Sequence, residues 1–121
     1  MSQAREAEVE RVLDELQEAF PGSSVALLTR TGTLYAGRAP ADVNRETFAA
    51  MMAVLHGASE TGTAELGEEL VAAELRLKSG AVFVIGAGKK MLLCAHFKDA
   101  SPVDGSQAKL AAAAARLGAL F

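Results

Sequence analysis

The chain has 121 residues, half of them hydrophobic and 22% charged, with a net charge of -3 and one cysteine. This length fits a single domain over residues 1–121. The charge offers no basic footprint for nucleic acid, and the lone Cys94 excludes an internal disulfide. The opening MSQAREAEVE lacks the apolar core of a signal peptide and no run reaches the ~18 apolar residues of a membrane span, so a cytoplasmic protein with no stable membrane insertion is expected.

Residues 3–19 place Val9, Val12, Leu13, Leu16 and, just beyond, Phe20 at helical spacing, largely opposite a charged face. Pro21-Gly22 ends this helix, because proline cannot continue the hydrogen-bond ladder. Residues 24–30, SVALLTR, form too short an apolar run for a helix and read as a strand buried on both faces. Thr31-Gly32 turns the chain into a second strand, residues 33–38. Asp42 or Asn44 then caps the helix that follows.

That central helix, residues 45–59 (RETFAAMMAVLHGAS), frays near residues 57–62 and has an unusually wide apolar surface. Val54, Ala58, Met51, Leu55, Phe48 and Met52 fill an arc of roughly 160°, against about 100° for a helix with one core contact. Arg45, Glu46, His56 and Glu60 mark the wet side. One flank should therefore meet something beyond its own sheet, which points to an assembling or partner-binding module.

Residues 70–78 (LVAAELRLK) alternate, with Val71, Ala73, Leu75 and Leu77 on one face. Ser79-Gly80, a second apolar run at 81–85, a turn at 86–90 and a third strand at 91–97 complete a meander whose two later strands read as central. Ser101-Pro102-Val103-Asp104 is expected to open the last helix, with Leu110, Ala114, Leu117 and Phe121 as its packing stripe. The order α-β-β-α-β-β-β-α, with strands apolar on both faces, predicts an α+β fold. A five-stranded antiparallel sheet lies between the central helix and the two terminal helices, with the 70–78 strand at an edge.

Catalytic chemistry finds little support. Gly86-Ala87-Gly88-Lys89-Lys90 lacks the spacing of a phosphate loop and puts Lys90 where a magnesium-binding hydroxyl belongs, so it reads as a hairpin turn. Cys94 and His96 share a strand face without an orienting third group, and read as packing residues. His56, Cys94 and His96 form no zinc spacing. No catalytic residue, metal or cofactor is assigned. The acidic run Glu65, Glu68, Glu69 and Glu74 reads as solubility and edge protection ahead of a docking signal.

The element order, the hairpin VALLTRTGTLYAG with Gly32, Gly80 before AVFVI, and Gly105 before the last helix together resemble the Roadblock (dynein light-chain) family. That family includes archaeal and bacterial homodimers that regulate or scaffold small Ras-like GTPases. The resemblance implies that two copies join through the central helix and the third strand into a ten-stranded sheet. The expected dimer interface is Phe48, Met51, Met52, Leu55, Ser59, Leu70, Ala72, Glu74 and Arg76; Arg45, Ala49 and His56 are the expected exposed surface for a GTPase. The leading expectation is a non-enzymatic homodimeric scaffold or regulator, with a small-molecule sensor of similar architecture as the alternative.

Overall fold

The computed structural model describes residues 2–99 and 105–121, and its elements follow the expected order. They are α1 (Ser2–Ala19), β1 (Ser24–Thr29), β2 (Leu34–Gly37), α2 (Arg45–Ala64), β3 (Ala72–Arg76), β4 (Ala81–Ala87), β5 (Met91–Phe97) and α3 (Gln107–Gly118). The strands make one antiparallel sheet in the order β2-β1-β5-β4-β3, so β4 and β5 are interior and β3 lies at an edge.

Strand alternation divides the core into two layers. Val25 and Leu27 of β1, Phe83 and Ile85 of β4, and Leu93 and Phe97 of β5 meet α1 and α3 on one face. Ala26, Leu28, Val82, Val84, Leu92 and Cys94 meet α2 on the other. Because both faces are covered, β4 and β5 are apolar at nearly every position instead of alternating with polar residues.

At the N-terminus of α2, Asn44 is the cap: its side-chain oxygen accepts from the Thr47 N–H at 2.9 Å. The helix runs to Ala64 and does not fray at residues 57–62. Gly57 and Gly62 face open space, so neither forces a break, and Glu60 is tied to Arg30 by two hydrogen bonds from the guanidinium. Tertiary anchoring outweighs the roughly 1 kcal/mol that a helical glycine costs. The expected opening of the last helix at Ser101–Asp104 lies outside the described residues; α3 itself starts at Gln107 after Ser106. Leu110, Ala114 and Leu117 are buried as its stripe, and half-buried Phe121 sets its ring edge-on to Tyr35 at 5.2 Å.

Candidate interaction site

The central helix is rotated from the expected orientation. Ala49, Ala53 and His56 are its buried residues, and Ala49 and Ala53 pack on the sheet. Phe48, Met52 and Leu55, on one side of the expected arc, pack partly buried against the same layer, whereas Met51 and Val54 lie well around the helix from it and are exposed. Ala49 and His56 are only 1% and 2% exposed, so they belong to no open partner surface; only Arg45 of the three expected positions is exposed. The physical reason is proximity. A Cβ added to Gly32 would lie 2.9 Å from the Ala50 Cα, and only small residues let a helix lie that close to the hairpin beneath it.

This rotation leaves apolar surface outside. Met51 and Val54 on α2 are 51% and 61% exposed, and Phe48, Met52, Leu55 and Ser59 are half-buried along the adjoining flank. Beyond the helix, Leu66, Val71 and Leu77 are also exposed large hydrophobics, the last two flanking β3. Leu70 and Ala72 are half-buried, whereas Glu74 and Arg76 are exposed and paired to each other at 2.7 Å. Among the described residues β3 pairs with β4 alone, so its other edge offers unpaired backbone donors and acceptors. An apolar helix flank and an open strand edge together define a surface suited to another protein. Sequence periodicity pointed to the wide arc, but Val54, Val71 and Leu77 were not among the residues expected at the interface.

A second feature had no signal in sequence spacing. Arg30, at the end of β1, donates through Nη1 to the Glu60 carboxylate at 3.0 and 3.1 Å and through Nη2 to the Gly88 carbonyl at 2.9 Å. The guanidinium passes over Gly86, where an added Cβ would approach Nη2 to 2.9 Å. His56 Nδ1 lies 3.5 Å from a Glu60 carboxylate oxygen. Its Nε2 is buried with no hydrogen-bond partner among the described residues, near Gly86. Burial lowers the His56 pKa, with Glu60 opposing that shift and Arg30 reinforcing it.

Cys94 and His96 do share a face of β5, the one α2 covers. Burial pushes the Cys94 thiol up to about 12, so it remains protonated and un-nucleophilic near neutrality. Burial and then Lys98 lower the His96 pKa. Among the described residues no group of three or more His, Cys, Asp and Glu side chains could hold a metal ion. No helix among them is long and apolar enough to cross a membrane. The open groove between β3 and α3, about 490 Å³, is lined mainly by apolar groups including Phe83, Ile85 and Leu110, with Glu74 and Gln107 as its polar side chains.

Fold and surface thus define a helix-sheet-helix domain of a kind suited to recruiting another protein. The chain belongs to the Roadblock/LC7 domain family, whose model matches residues 8–97. Its fold is similar to the gliding protein MglB of Thermus thermophilus at 21% identity, with a TM-score of 0.87 over 97% of this chain and 90% of that one. MglB of Myxococcus xanthus gives 16% identity and a TM-score of 0.84, covering 95% and 88% respectively. A Roadblock/LC7 domain from Streptomyces avermitilis gives 19% identity and a TM-score of 0.70, with 89% of each chain covered. No curated protein sequence matches the chain significantly.

Proposed function

We propose that this protein is a non-enzymatic homodimeric scaffold or regulator that binds a small Ras-like GTPase. The observation that carries the pairing is the exposed Met51 and Val54 flank of α2 together with the unpaired edge of β3. Pairing β3 with its counterpart in a second copy would satisfy the open backbone groups, extend the sheet to ten strands and bury the two α2 flanks against each other. Phe48, Met52, Leu55 and Ser59 would line that contact, with Leu70, Ala72, Glu74 and Arg76 contributed by the strand and its approach. An interface of this kind buries more than about 1,000 Å² in total.

Membership of a family of regulatory and scaffolding domains supports the GTPase as partner class. Arg45 is exposed at the N-terminal end of α2, where a rim charge governs encounter and specificity more than affinity. Co-purification with candidate GTPases, loaded separately with GDP and with a GTP analogue, tests this reading. One nucleotide state should retain the protein more strongly, and binding to neither state contradicts it. The ligand-sensor alternative has a location in the β3–α3 groove. A small molecule retained in native mass measurement of the purified protein would favour it.

A further inference from the structure

We propose that Arg30, Glu60 and His56 form a proton-operated latch that docks the C-terminal half of α2 on the sheet, and that protonation of His56 opens it. The parts come from three places in the chain: His56 and Glu60 from successive turns of α2, Arg30 from the end of β1, and the Gly88 carbonyl from the β4–β5 turn. They meet over Gly86, the one position of β4 where a missing side chain gives the guanidinium room. The latch holds a helix to its own sheet and stands whether or not two copies pair.

His56 makes this contact sensitive to protons. A neutral imidazole with its proton on Nδ1 faces the Glu60 carboxylate, which leaves Nε2 as a lone pair in a dry site. Transfer of a proton from water to Nε2 creates a cation and an extra N–H donor there, and no described acceptor meets it. Glu60 on α2 and Arg30 on β1 are the charged groups acting on the ring. β5 presents the protonated Cys94 thiol on the same sheet face and, farther along, His96, which pairs with Val82 where Gly86 pairs with Leu92; Lys89 and Lys90 of the turn are exposed. Glu60 can answer one added charge, but it is already shared with Arg30, so the imidazolium favours the undocked helix, where water solvates it.

The direction follows from burial. The docked His56 binds its proton less readily than a solvated histidine, whose ordinary pKa is about 6.5. The open form therefore takes up more protons below that pH, and docking weakens as the solution becomes more acidic. Above it both forms are neutral and the latch is at full strength.

Hydrogen exchange on the whole protein tests the latch, with amide protection in residues 53–64 corrected for intrinsic exchange rates. Between about pH 7.5 and about pH 5.0 the wild type should lose about fivefold or more protection there, and His56→Gln less than about twofold. His96→Asn should keep the wild-type fall, since His96 lies outside the latch. An undiminished fall in His56→Gln, its disappearance in His96→Asn, or no fall in the wild type overturns the proposal. If His56→Gln does not fold, Glu60→Gln decides. Removing the carboxylate that compensates the imidazolium should enlarge the fall, and an equal or smaller one contradicts the latch.

Discussion

Cys94 shows how burial separates chemistry from packing at a single residue. Its thiol lies in the layer beneath α2 beside Val84 and Leu92, held protonated by desolvation. Cys94→Ser places a hydroxyl in that apolar layer and should cost about 1–2 kcal/mol in denaturant titration, with partner binding intact. Lost binding by a normally folded variant would restore a thiol mechanism. Gly32 carries the opposite burden: with φ at +99° and the Ala50 backbone against it, Gly32→Ala should destabilise by roughly 2 kcal/mol or more. A change below about 0.5 kcal/mol would mean that the hairpin and α2 separate easily. At this scale sequence reading goes wrong where hydrophobicity and distance to the sheet conflict. Ala49 and His56 look like minor or wet positions, yet the close approach selects small residues, and the imidazole is buried beside the Arg30–Glu60 pair.

Among the elements, α2 carries both the internal contact and the outward apolar flank, and substitutions on its sides should separate the two. Val54→Glu and Met51→Glu alter exposed positions, so they should abolish self-association while leaving circular dichroism and monomer stability nearly unchanged. Ala53→Glu, on the sheet side, should instead unfold the helix face. If Val54→Glu leaves the dimer intact, pairing uses another surface. Arg45→Glu should change GTPase binding with the dimer preserved, and unchanged binding would remove the α2 rim from the partner surface. The element order and the edge position of β3 were legible because alternation, turn glycines and fully apolar runs are local patterns. The length of α2 was not, since its last turns are anchored by Arg30, thirty positions away in sequence, which no local pattern records.

For the whole molecule, acid should act in two windows. His56 and His96 both have pKa values lowered by burial, so the folded state takes up fewer protons than the unfolded chain and stability falls as pH drops below about 6.5. Arg116 lowers the Glu15 pKa through a side-chain hydrogen bond, so this carboxylate contributes stability above its ordinary range and loses it in stronger acid. Denaturant midpoints measured across pH should therefore decline first through the histidine window; a flat profile down to about pH 5 would contradict the buried, neutral imidazoles. Assembly is the proposed consequence of this architecture: a second copy would cover the apolar helix flank and the open strand edge. Light scattering at tens of micromolar protein measures it most directly. The wild type should show twice the 12.5 kDa chain mass and Val54→Glu a single chain mass; a wild-type mass of 12.5 kDa would rule the paired assembly out.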